Sequence, residues 1–212
     1  MKDLSHFFTS IDAVHAFVRG GSLHVDDIML LAYLGQDKQG RANTASGLSE
    51  ALHLGRPRIS RILARLSAAG LAQEAVQRSD YRVSHYRLSN HGENVLFEIR
   101  RRFGRKAVDD LVQDYIALQA ACRSAEHYAG ERKFSDSAVR IYVLLLAAKK
   151  PLKLSELIEA SNLAQNRVSQ AVAALERKGS VQLATGKGDA RVRMVSLTAK
   201  GKAIAKHLSL RL

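Results

Sequence analysis

The 212 residues carry 33 Lys and Arg against 20 Asp and Glu, a net charge of +13, with one cysteine, two prolines and no tryptophan. The lone Cys122 excludes an internal disulfide, which suits a reducing cytoplasm. No apolar run approaches the roughly 18–20 residues of a membrane span, and the start Met-Lys-Asp shows no secretory leader, so a cytoplasmic protein is expected.

In chain order, Leu4, Phe7, Phe8, Ile11, Val14 and Val18 recur at three- and four-residue steps, which predicts an amphipathic helix closed by Gly20-Gly21. A second helix follows over Asp26–Leu34, then a polar loop to Asn43. Thr44–His53 is a third helix and Leu54-Gly55 a short turn. Arg56–Ala69 is a fourth, with Ile59, Ile62, Leu63 and Leu66 as its apolar stripe, Pro57 in its first turn and Gly70 at its end. From Leu71 the period changes. Ala72–Gln77 and Arg82–Leu88 read as strands around the turn Arg78-Ser79-Asp80.

Asn90–Ala129 reads as nearly continuous helix, breaking at Gly104. Val95, Ile99, Phe103, Val108, Leu111, Val112, Tyr115, Leu118 and Cys122 share one side of it, with Cys122 expected as a buried structural thiol. Ser135 or Asp136 is placed to cap the next helix. Helices over Ser137–Ala148, Lys153–Ala160 and Gln165–Lys178 follow, then Gly179. A hairpin over Ser180–Leu197 has its tip at Thr185–Asp189, and Thr198–Leu208 is a last helix.

Thr44–Gly92 lies on Lys153–Gly201 without a gap at a shift of 109 positions, with 17 of 49 pairs identical. Such a match means two copies of one structural unit. The expected division is residues 1–89 with the first copy, 90–134 as a helical connector, and 135–212 with the second. Charge follows the repeat: Met1–Gly55 carries −2, Arg56–Lys106 +8, Ala107–Ala148 −2 and Lys149–Lys206 +8. Two basic blocks in the same half of two repeats read as two footprints for a polyanion.

Helix, short turn, helix and basic hairpin make a winged helix-turn-helix, so the fold class is mostly α with small β-hairpin wings. In that arrangement the second helix enters the major groove of double-stranded DNA. Opposite its apolar stripe stand Arg56, Arg58, Ser60, Arg61 and Arg65 in the first copy. In the second stand Gln165, Asn166, Arg167, Ser169 and Gln170. Arg suits guanine and phosphate, and Asn and Gln suit adenine. The wings add Arg78, Asp80 and Arg82 in the first copy, and Lys187, Asp189, Arg191 and Arg193 in the second.

The string Ser79-Asp80-Tyr81-Arg82 with Leu88-Ser89 and Gly92, and its counterpart Asp189-Ala190-Arg191 with Leu197-Thr198 and Gly201, resembles the wing of MarR-family transcription regulators. The helix pairs Leu48–Leu66 and Leu157–Leu175 resemble that family's as well. The resemblance implies that Arg82 and Arg191 reach toward the minor groove while Asp80 and Asp189 hold the wings in shape. It implies a nucleoid-associated regulator; small-ligand pockets in that family lie between the dimer helices and the DNA-binding unit, and no motif here names an effector. Ordinary members carry one such unit per chain and pair through terminal helices. Two units in one chain look like a fused, tandem form, favouring a monomeric pseudodimer over a homodimer.

Other chemistry finds no support. The eight histidines show no metal-ligand spacing, Gly186-x-Gly188 lacks the end of a phosphate loop, and no nucleophile triad or paired carboxylates occur, so no enzyme, metal or cofactor is read. Arg100-Arg101-Arg102 with Arg105-Lys106 is either a solvated helix face or a phosphate clamp. Two other readings stay open. One is a replication initiator with tandem winged helices. The other is a winged-helix protein-interaction subunit, against which the charge argues.

Overall fold

The computed structural model describes residues 4–18, 23–36, 43–75, 84–130, 134–186 and 189–209. The chain divides into two compact units, His6–Gln119 and a second built chiefly on Ala120–Leu212.

The N-terminal unit opens with α1 (Leu4–Val18), whose Phe7, Phe8, Ile11 and Val14 are buried at the predicted spacing. α2 (Val25–Leu34) is the most deeply buried helix of the unit, with Ile28 through Ala32 at most 1% exposed. The two-residue strand β1 (Asn43–Thr44) leads into α3 (Ala45–Ala51), and the Thr44 hydroxyl caps that helix by accepting from Gly47 N at 2.9 Å. α3 ends at His53 in the left-handed region, and α4 (Arg56–Ala68) begins three residues on, with Pro57 in its first turn. Leu48, Leu52, Ile59, Ile62 and Leu66 are wholly buried. Each such side chain contributes roughly 1.5–3 kcal/mol of hydrophobic stabilisation, so this cluster holds the helix pair in place.

α4 closes in a Schellman turn. Leu71 N donates to Leu66 O at 2.8 Å, Gly70 N donates to Ser67 O at 2.9 Å, and Gly70 has φ of +67°. β2 (Ala72–Ala75) and β3 (His85–Leu88) are antiparallel, and β1 pairs with the far side of β3, giving the order β1-β3-β2. The sheet thus has three strands where the sequence predicted a hairpin. A two-residue strand carries no period to read, and β1 doubles as the entry to a helix. α5 (Asn90–Phe103) and α6 (Arg105–Ala129) meet at Gly104, the predicted break. The division between units falls within α6.

On α6, Val108, Leu111, Val112, Tyr115, Leu118, Ala121 and Ala125 form the buried stripe. Cys122, expected to be buried, is half-buried, because the stripe continues through Ala121 and leaves Cys122 on its flank.

The C-terminal unit follows the same order. α7 (Asp136–Ala148) is capped by Ser135, whose hydroxyl accepts from Ala138 N at 3.1 Å. β4 (Leu152–Lys153), α8 (Leu154–Ser161), α9 (Gln165–Arg177), β5 (Val181–Gly186), β6 (Asp189–Leu197) and α10 (Ala199–Ser209) complete it, with strand order β4-β6-β5. α9 ends as α4 does, through Ser180 N to Leu175 O at 2.9 Å and Gly179 at φ of +69°. Asn162 occupies the left-handed position that His53 takes 109 residues earlier. Buried in α7, Arg140 donates to Ser161 O at 3.1 Å and pairs with Asp136 at 3.2 Å. It thereby satisfies a carbonyl at the end of α8 that burial would otherwise orphan. Each unit has a helix pair and a small three-stranded antiparallel sheet, and the structure is mostly helical. Among the described residues, no helix is long and apolar enough to cross a membrane.

Candidate nucleic-acid interface

The face of α4 turned from the core is built by periodicity. Ile59, Ile62, Leu63 and Leu66 point inward, which leaves Arg56, Ser60 and Arg61 exposed. The Arg61 guanidinium folds back along the helix, its Nε donating to Pro57 O at 3.1 Å.

The other two arginines of this helix are engaged by α2. Arg58 makes a two-point contact with Asp26, Nε to Oδ2 at 2.6 Å and Nη2 to Oδ1 at 2.8 Å. Tyr115 of α6 donates its hydroxyl to the same Oδ1 at 2.7 Å. Arg65 makes the same kind of contact with Asp27, Nη2 to Oδ1 at 2.6 Å, and Asp27 also accepts from His24 N at 2.8 Å. Asp27 is fully buried, whereas Arg65 is 39% exposed at its side chain. The hydrogen bond to Asp27, ahead of the carboxylates' charge and against some desolvation, holds the Arg65 pKa above its ordinary value. Sequence reasoning missed Asp26, Asp27 and Tyr115. Two acids in a helix's first turn look like ordinary dipole partners, and no local pattern ties them to arginines 32 and 38 residues downstream.

On α9 the equivalent face is open. Gln165, Asn166, Arg167 and Gln170 are exposed and Ser169 is half-buried, above an inward row of Val168, Ala171, Val172 and Leu175. Asn166 Oδ1 accepts from Arg167 N at 2.8 Å in the first turn of the helix. The Arg167 side chain makes no ion pair or hydrogen bond among the described residues.

In the β5–β6 hairpin, the second wing expected from the sequence, Arg193 is exposed on β6 opposite Thr185 of β5. Asp189 and Arg191 lie on the same strand. Arg78, Asp80, Arg82 and Lys187 lie outside the described residues.

Among the described residues, a cavity of about 700 Å³ opens beside the first sheet, lined by Leu88, Leu96, Phe97, Arg87, Arg100 and Arg101 with their neighbours. Arg100 is tied there to Asp109 at 2.8 Å. The cluster read as a solvated face or a phosphate clamp is thus split. Arg100 is drawn inward while Arg101 is 70% exposed beside Glu98.

No curated protein sequence matches the chain significantly. Among solved structures, the MepR–DNA complex of S. aureus is 17% identical over 41% of this chain and 68% of its own, with a TM-score of 0.36. FabT of Streptococcus pneumoniae in complex with DNA is 18% identical over 52% and 76%, with a TM-score of 0.43. Apo MarR from E. coli is 15% identical over 52% and 82%, with a TM-score of 0.41. At the level of sequence, residues 132–198, and with them most of the C-terminal unit, match the model of the family described as the sugar-specific transcriptional regulator TrmB.

Proposed function

We propose that the chain is a sequence-specific regulator of transcription that binds double-stranded DNA with two winged helix-turn-helix units of MarR-like type. The observation that carries the reading is the exposed first turn of α9, Gln165, Asn166 and Arg167, in the segment that matches a transcription-regulator family. An arginine and two amides at the start of such a helix are the groups that read base edges in the major groove. The +8 blocks around α4 and α9 supply phosphate attraction. The wings, through Arg193 and Arg191 in the second unit and Arg78 and Arg82 in the first, anchor the flanking backbone.

The ungapped repeat supports a fused pair. One chain then presents two recognition helices, replacing the two-fold axis of a homodimer with pseudosymmetry. Arg56, Arg58 and Arg61 align with Gln165, Arg167 and Gln170, so the two half-sites differ and the operator is an imperfect palindrome. Footprinting on the DNA upstream of the protein's own gene, repeated across a salt series, tests the reading. A protected, salt-sensitive site supports it, and binding of duplex unchanged from low to high salt refutes it.

A further inference from the structure

The two recognition helices carry an arginine at the same position, Arg58 and Arg167, but in different surroundings. Arg58 is held by Asp26 through its Nε and Nη2 edge, and Tyr115 fixes the carboxylate from behind. Carried upstream of Thr44, the same 109-residue shift sets Asp26 against Ser135, whose hydroxyl is spent on the cap of α7, and the next acid, Asp136, pairs with Arg140. Arg167 therefore has no carboxylate in the corresponding place, and its side chain is exposed.

The chemistry of the pair gives this asymmetry a meaning. A guanidinium offers its N–H fork to a carboxylate in the same way as to a phosphate or to O6 and N7 of guanine. Asp26 occupies that edge with two contacts of 2.8 Å or less. With side chains 30% and 20% exposed, the pair stands at the surface where a nucleic acid could compete for it. The negative charge of Asp26 also opposes phosphates brought near α4.

We propose that Asp26 masks Arg58 as an intramolecular stand-in for DNA. The open Arg167 makes the dominant contact, and α4 engages only when the Asp26–Arg58 pair exchanges its carboxylate for a nucleic-acid acceptor. This rests on the DNA-binding reading above. It makes Asp26 a positioning residue that sets the balance between the two half-sites.

The test uses the full chain and its footprinted duplex, with affinity measured at two salt concentrations. Asp26→Ser installs the residue found in the repeat and is expected to tighten binding about tenfold, a charge-assisted hydrogen bond's worth. The dependence on salt should steepen by about one released ion, since a freed arginine adds a phosphate contact. In an Arg58→Ala background the same change is expected to give no gain, and Arg58→Ala alone is expected to weaken binding less than Arg167→Ala. Asp26→Asn, which keeps the shape of the side chain, gives the same readout if the serine variant does not fold. Unchanged or weaker binding by the Asp26 variants, or a gain that persists without Arg58, overturns the masking. Loss of salt-dependent binding in the wild type as well overturns the DNA reading itself.

Discussion

Gly92 and Gly201 stand 109 residues apart and meet the same obstacle. A Cβ on Gly92 would lie 2.0 Å from Leu71 O, and one on Gly201 would lie 1.8 Å from Ser180 O. Around each, the preceding hydroxyl makes one set of bonds. Ser89 and Thr198 cap α5 and α10 while their side chains donate to Gly70 O and Gly179 O. Backbone stands in the way, so no rotamer change relieves an added methyl. Gly92→Ala and Gly201→Ala should each destabilise their unit by about 1–3 kcal/mol or more, read as a fall in the urea midpoint. A midpoint that does not move shows that the carbonyl can be displaced without cost.

Arg65 should matter for stability before it matters for DNA. Its removal leaves the fully buried Asp27 carboxylate without its cation. Uncovering a buried charge costs about 3–5 kcal/mol, and the half-exposed arginine places Arg65→Ala toward the lower end. Equilibrium unfolding measures it, and a loss under about 1 kcal/mol would mean water replaces the arginine freely.

Arg167→Ala should weaken operator binding by roughly 1–3 kcal/mol and relax preference at one base pair. Arg193→Ala should weaken it evenly across sequences. Selection of bound duplexes from a randomised pool separates the two outcomes, and a uniform loss for both places the reading surface elsewhere than α9.

Arg140 occupies in α7 the position that Leu31 takes in α2, and it is 4% exposed. Truncation to alanine removes the partner of Ser161 O and leaves a cavity, at about 2–4 kcal/mol. Arg140→Leu fills the volume and should cost less. Thermal unfolding of the two variants ranks them, and the reverse order would assign the arginine's contribution to its hydrogen bonds alone.

A self-sufficient pair of units predicts one chain per minimal operator. Sedimentation of the complex reads this directly, and two chains on one site would rule out the pseudodimer.

The helices were legible because their apolar spacing is unambiguous and their ends are punctuated. Ser135, Gly70, Gly179 and Gly104 cap or break where the sequence placed them. The strands β1 and β4 were not, since two residues hold no alternation. On α4 the helical wheel assigned Arg58 and Arg65 to the open face, one i,i+7 pair on a single side. Periodicity shows which way a residue turns from its own core. It is blind to a neighbouring helix that brings carboxylates alongside, and the acids of α2 are that neighbour. On α9, where no carboxylate pairs with Arg167 among the described residues, Gln165, Asn166, Arg167 and Gln170 are exposed, as the periodicity alone requires.

Thr44 closes one edge of the first sheet against His85 and caps α3 with the same residue. Lys153 stands at the same junction, pairing with Met194 while its backbone N–H donates to Glu156 of α8 at 2.7 Å. The edge of each small sheet and the root of each helix pair are therefore joined through one residue. A change that shifts either strand shifts the start of the helix behind it, so sheet and helix pair form one unit for any transplantation.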